Sequence, residues 1–249
     1  MSTMLEQFFK ENNNVALGFS GGADSSYLLY AGLKHCTGIK AYYVKTAFQP
    51  EFEFRDVLKL AGQLGAEVSV IELDILGNDD VTSNLHNRCY HCKKAIFGAI
   101  QQMADADGCR TIIDGTNASD DVSDRPGMSA LAELGVRSPL RESGLSKEDV
   151  RRLSNEAGLF TWNKPAYACL ATRIPPGQTI TEEVLKLVEK AEDAILALGF
   201  TDFRVRVYGG AARLQFLPGE VVQAASRRLE ILVAIRPYFA EVLLDLEGR

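Results

Sequence analysis

No stretch of this chain is both long enough and poor enough in charge to cross a membrane, and residues 1–14 hold neither a basic leader nor a long apolar core. Neither a membrane anchor nor a signal peptide is expected, so the cytosol is the expected compartment. Basic charge is also scarce: 27 Lys and Arg face 33 Asp and Glu, for a net charge of −6. A long nucleic-acid footprint wants a basic face, so nucleic acid is not an expected partner. Cysteine is sparse and odd in number, at Cys36, Cys89, Cys92, Cys109 and Cys169. That count argues against a disulfide framework and turns the question to thiol or metal chemistry. There is no second C-x-x-C, so a closed four-ligand zinc site is short of donors. Internal repeats and low-complexity tracts are absent.

What is present is ordinary globular material. With 249 residues, the chain can hold a large domain and a smaller one. Apolar runs at Val15–Phe19, Lys40–Val44, Glu67–Leu73 and Thr111–Asp114 read as strands. Helical spacing is expected over Leu5–Lys10, Tyr27–Leu33, Glu51–Leu64 and Cys92–Asp105. Strands alternating with helices imply an α/β fold with a doubly wound parallel sheet. Ile174-Pro175-Pro176-Gly177 breaks the chain and reads as a linker. The expected domains are therefore residues 1–173 and, as a smaller C-terminal α+β domain, 178–249. In the latter, a helix from Thr181 to Leu198 precedes a hairpin of Asp202–Tyr208 and Ala212–Phe216. A further helix should start at Pro218 and end before Pro237, and a strand should run over Phe239–Leu246.

The strongest chemical signal is Ser20-Gly21-Gly22-Ala23-Asp24-Ser25-Ser26, between the first strand and the next helix. Adjacent glycines permit a sharp turn and a close backbone approach. The N–H groups opening the helix lack partners within it, and the helix dipole favours an anion there. The hydroxyls of Ser20, Ser25 and Ser26 add donors, while Asp24 is suited to magnesium rather than to phosphate itself. The G-K-[ST] of a Walker A loop is missing.

Three further segments carry chemistry. Asp114-Gly115-Thr116-Asn117 leaves a strand end and continues through an acidic loop to Asp124-Arg125-Pro126-Gly127; Gly135-Val136-Arg137 follows. Carboxylates there suit a ribose or magnesium, and Arg125 suits an anion. Arg88-Cys89-Tyr90-His91-Cys92 puts two thiols on one face of a helix start. The helix end and neighbouring cations favour thiolate. Two buried cysteines, a redox pair, a zinc half-site and an iron–sulfur ligand pair all fit this spacing. A third thiolate would suit a [4Fe–4S] cluster with one open iron, and Cys169 is the natural third. Cys169 lies in the run Asn163-Lys164-Pro165 through Cys169-Leu170-Ala171-Thr172-Arg173-Ile174-Pro175.

The S-G-G-x-D-S loop alone resembles the PP-loop of N-type ATP pyrophosphatases (adenine nucleotide α-hydrolase-like). Together with D-G-T-N…D-x-R-P-G, G-V-R-S-P-L and N-K-P-x-x-x-C-L-A-T-R-I-P, it resembles the LarE family of sulfur transferases in nickel-pincer nucleotide biosynthesis. The likeness continues through Phe203–Tyr208 and Leu244–Gly248. It implies that ATP, with Mg2+, adenylates a carboxylate of pyridinium-3,5-biscarboxylic acid mononucleotide, and that sulfur then displaces AMP. It implies nucleotide contacts from Ser20, Gly21, Gly22, Asp24, Ser25, Ser26, Gly115, Asn117 and Arg137. Substrate contacts are implied for Asp124, Arg125, Arg173, Arg204 and Arg206. The family's single sacrificial cysteine falls on Ala168. That departure favours a [4Fe–4S] cluster on Cys89, Cys92 and Cys169, with a sulfide donor and a homo-oligomeric protein as further expectations. The alternatives are a tRNA-thiolating PP-loop enzyme and a non-enzymatic nucleotide-binding regulator.

Overall fold

A computed structural model describes residues 3–120 and 126–249. In chain order the first elements are α1 (Thr3–Glu11), β1 (Asn14–Gly18), α2 (Ala23–His35), β2 (Gly38–Lys45), α3 (Glu51–Leu64) and β3 (Val68–Glu72). Next come α4 (Asp79–Thr82), α5 (Arg88–Ala106), β4 (Thr111–Ile113), α6 (Pro126–Glu133), α7 (Pro139–Glu142) and α8 (Lys147–Glu156). After 3-10 turns at Phe160–Asn163 and Leu170–Arg173 come α9 (Glu182–Ala197), β5 (Phe203–Tyr208), β6 (Ala211–Phe216), α10 (Val221–Ser226), α11 (Arg228–Ile235) and β7 (Val242–Leu244). Two compact units result. One comprises Met1–Ile75 with Asn87–Ala166, the other Leu76–His86 with Tyr167–Arg249.

The first unit is the expected α/β layer structure. Its parallel sheet has strand order β3-β2-β1-β4. Side chains alternate across a strand, so each central strand feeds two cores. Val15, Leu17, Ala41, Tyr43 and Ile113 join α1, α2, α3 and α8 on one face. Ala16, Tyr42, Val44 and Ile112 meet Phe97 and Ile100 of α5 and Leu131 of α6 on the other. Burial on both faces explains why these strands read as continuous apolar runs. Gly65, at φ 61°, ends α3 in the left-handed conformation and returns its N–H to Ala61 and Gly62. The segment over residues 126–163, for which the sequence reading named no helix or strand, folds into α6, α7, α8 and a 3-10 turn.

The second unit holds a small sheet of order β5-β6-β7, antiparallel then parallel. Residues 174–177 lie inside this unit. The Asn84 side chain donates to the carbonyls of Ile174 and Pro175, and the Gly177 N–H donates to Asn84 O. The helix expected from Pro218 to Pro237 is broken at Arg227, whose backbone leaves the helical region (φ −95°, ψ 20°). Its guanidinium donates to the carbonyl of Leu198, the residue that caps α9, 2.8 Å away. The last strand is also shorter than expected, since Tyr238 and Phe239 donate back to Ile235 O and prolong the turn after α11.

Candidate functional site

The turn between β1 and α2 is built for an anion. Gly21 sits at φ +70°, and a Cβ there would lie 2.7 Å from Val57 Cγ2 of α3. Glycine is therefore required both by conformation and by space. Gly22 caps α2 with extended backbone and no side-chain cap bond. The N–H groups of Gly21, Ala23, Asp24 and Ser25 have no hydrogen-bond partner among the described residues. Ser25 Oγ lies 3.0 Å from Ser20 Oγ, accepts from Ser20 N and donates to Gly22 O, so these two serines brace the turn. Ser26 is fully buried, and its Oγ has no partner among the described residues. A buried orphan hydroxyl beside a row of open amides is the mark of a site that expects polar oxygens. A triphosphate fits that donor set.

A second loop closes on the same turn. After β4, Gly115 approaches so closely that a Cβ on it would stand 3.0 Å from Ser25 N. Asp114 is spent on its own loop, accepting from Thr116 N, Thr116 Oγ1 and Ser138 Oγ. Asn117 is buried, and its Nδ2 donates to Asp24 Oδ1 at 3.4 Å. Gly115 and Asn117 are thus gathered with the Ser20–Ser26 turn. Arg137 is turned to other partners: it pairs with Glu142 and lies 4.6 Å over the Phe8 ring. Asp124 and Arg125 lie outside the described residues.

Two lysines that sequence reasoning did not single out stand at this turn. Lys147, the first residue of α8, places Nζ 2.5 Å from Asp24 Oδ2. Lys164 Nζ lies 3.5 Å from the Gly21 carbonyl and 2.7 Å from Asp56 Oδ2 of α3. The signals were faint. Lys147 follows the capping residue Ser146, whose box with Asp149 is complete. Lys164 is the lysine of the N-K-P run. Asp24, bearing two polar contacts and partly open to solvent, has the oxygen chemistry of a magnesium ligand.

Cys89 and Cys92 are the second and fifth residues of α5, which starts at Arg88, four residues earlier than the sequence expectation. Arg88 Nη2 lies 3.6 Å from Cys89 Sγ, and Cys89 is exposed. Cys169 belongs to the second unit. None of the five cysteines forms a disulfide. Among the described residues, no group of three His, Cys, Asp or Glu side chains is gathered as a metal site.

In the second unit the arginines concentrate. Arg173 is 1% exposed, and its guanidinium is committed to Glu192, the Ala168 carbonyl and Thr172 Oγ1. It therefore holds the loop rather than offering an open guanidinium to substrate. Arg204 is buried, 5.2 Å from the Tyr167 ring centre. Arg206 donates to Gln215 and to Thr172 O. Burial first, and the Arg173 charge second, pull both Arg204 and Arg206 below the ordinary arginine value. Crowded, desolvated cations of this kind are stabilised by a bound anion.

Comparison with known proteins follows the same lines. No family model matches the chain. An uncharacterized protein of Synechocystis is 35% identical over 98% of this chain and 92% of its own length. The pyridinium-3,5-bisthiocarboxylic acid mononucleotide synthase of Lactiplantibacillus plantarum is 34% identical over 83% of this chain and 75% of its own. The tRNA-specific 2-thiouridylase MnmA of Thermotoga petrophila is 23% identical over 60% of this chain and 54% of its own. With a parallel α/β unit carrying the S-G-G-x-D-S turn, and a synthase relative at that identity and coverage, the chain belongs to the LarE family of PP-loop enzymes.

Proposed function

We propose that this protein inserts sulfur into a carboxylated pyridinium mononucleotide, with ATP consumed to AMP and pyrophosphate. The observation that carries the reading is the turn at Gly21–Ser25, with its open amides, beside Asp24. A carboxylate is a poor electrophile because its oxygen is a poor leaving group. A substrate carboxylate oxygen attacks the α-phosphorus of ATP, and pyrophosphate leaves. The resulting acyl–AMP carries a good leaving group, and a sulfur nucleophile at the acyl carbon expels AMP to give the thiocarboxylate.

The chain's residues have separate tasks in that scheme. The amides of Gly21, Ala23, Asp24 and Ser25 bind phosphate oxygens, and they need no reorganisation because the turn already aims them. The buried Ser26 hydroxyl gains the acceptor it lacks. Asp24 would hold Mg2+, which would supply positive charge against the phosphates. Gly115 and Asn117 line the nucleotide side. Arg204 and Arg206 are candidates for the substrate phosphate. Cys89, Cys92 and Cys169 are the candidate sulfur-handling groups, and the three-cysteine pattern is the ground for proposing a [4Fe–4S] cluster with a sulfide donor.

The deciding experiment is anaerobic incubation with ATP, Mg2+, sulfide and the dicarboxylated pyridinium mononucleotide, read by mass spectrometry. The expected result is replacement of one carboxylate oxygen by sulfur, with AMP and pyrophosphate formed in equal amounts. ADP release, or a product unchanged in mass, overturns it. The weaker likeness to MnmA makes tRNA thiolation the second reading. Sulfur incorporated into tRNA instead of the pyridinium nucleotide would establish that alternative. The cluster is tested separately, by iron content and visible charge-transfer absorption of anaerobically purified protein.

A further inference from the structure

The carboxylate assigned to magnesium already holds a cation. Asp24 Oδ2 is in contact with Lys147 Nζ at 2.5 Å, and Oδ1 accepts from Asn117 Nδ2 at 3.4 Å. The pair is only partly open to water, with side chains 32% and 21% exposed. A magnesium ion on Oδ2 and an ammonium in contact with the same oxygen would repel, and the ammonium has no lone pair to offer the metal. One must leave for the other to bind.

The lysine is well placed to yield. Its backbone is fixed, because Lys147 N donates to Ser119 Oγ at 3.0 Å, Ala118 N to Leu145 O at 2.8 Å, and the Ser146–Asp149 capping box pins the start of α8. Only the four-carbon stem has to turn. Ser119 in turn donates to Asn117 Oδ1 at 2.8 Å, so the Lys147 backbone and the Asn117 amide belong to one bonded chain of contacts.

We propose that Lys147 is a resident counter-cation of Asp24, which a divalent ion must displace when nucleotide binds. The inference rests on the nucleotide reading above. Before nucleotide arrives, Lys147 keeps the carboxylate from repelling incoming phosphate. When the metal takes Asp24, the ammonium is released beside the phosphate turn. Its function is to make the metal and the nucleotide bind as a pair.

The test is the Mn2+ dependence of binding of α,β-methylene-ATP, measured by calorimetry, with bound Mn2+ followed by electron paramagnetic resonance. Lys147→Met should lower the Mn2+ concentration at half-saturation by about fivefold, the size expected of a partly exposed ion pair. Lys147→Arg, which keeps the charge, should restore the wild-type midpoint. In an Asp24→Asn background, Lys147→Met should leave the midpoint where it stands. A midpoint that is unchanged or raised in Lys147→Met, with wild-type binding intact, overturns the counter-cation role alone. Wild-type protein that binds no analogue at any Mn2+ concentration overturns the nucleotide reading, and this inference falls with it.

Discussion

The guanidinium of Arg173 is forked on the carboxylate of Glu192, Nε to Oε1 at 2.8 Å and Nη2 to Oε2 at 3.3 Å, with both side chains buried. Glu192 Oε1 also accepts from Val205 N at 3.0 Å, so the pair ties α9 to β5 and to the 3-10 turn carrying Arg173. A buried pair of this kind is not strongly stabilising against an apolar substitute, but half of one is costly. Glu192→Gln should therefore lower the stability of the second unit by about 3–5 kcal/mol, because an uncompensated guanidinium is left inside. Urea unfolding followed by circular dichroism checks it. A loss below about 1 kcal/mol, the range of an exposed pair, would show that water reaches Arg173.

Gly21→Ala should abolish nucleotide binding while leaving the fold intact at moderate cost. Two effects add: the φ of +70° strains any side chain, and the new methyl meets the buried Val57 at 2.7 Å. Val57→Ala in the same chain removes the second effect but not the first. The double variant should recover part of the stability, read as the unfolding midpoint. Full recovery would mean that the turn tolerates a left-handed alanine and that space alone demands glycine.

Much of this was legible in the sequence, because period and punctuation carry it. The runs around Val15–Leu17 and Ala41–Val44 are strands buried on two faces, and the two glycines mark the turn between β1 and α2. Residue partners across the fold were not legible. Arg173 sits in a recognisable motif, yet Glu192 lies nineteen positions away on α9 and only the packed fold joins them. Lys147 likewise meets Asp24 across 123 positions. The break at Arg227 was not legible either: its guanidinium's partner, the Leu198 carbonyl, lies 29 positions away at the end of α9.

Alkaline pH should destabilise the protein through its buried phenols. Burial raises Tyr27 from the ordinary value of 10.0 to about 12, with Tyr30 the next cause. Burial also raises Tyr42 and Tyr43, and for Tyr42 the hydrogen bond to Asp107 adds to it. A raised folded-state value means the folded protein holds the proton more tightly than the unfolded chain does. The stabilisation is therefore whole below about pH 10 and is lost as pH climbs toward 12. Unfolding midpoints across that range should fall, and Tyr27→Phe should flatten part of the fall. Equal slopes for wild type and variant would show that Tyr27 ionises freely in the folded state.

Lys164 stands at the Ser20–Ser26 turn, paired with Asp56 of α3. Its side chain is only 14% exposed, with Nζ 2.7 Å from Asp56 Oδ2 and 3.5 Å from the Gly21 carbonyl. Two roles are separable: a positive charge felt by the bound triphosphate, and a prop that shapes the turn through Asp56. Removing the charge with Lys164→Met should weaken ATP binding about tenfold, or ~1.4 kcal/mol, with the loss shrinking as salt is added. Asp56→Asn keeps the lysine and lifts its competing partner, so affinity should hold or rise in that variant. Calorimetric titration with ATP at two salt concentrations compares them. If Asp56→Asn costs as much as Lys164→Met, and neither loss depends on salt, the lysine serves the shape of the turn and its charge is not felt by the nucleotide.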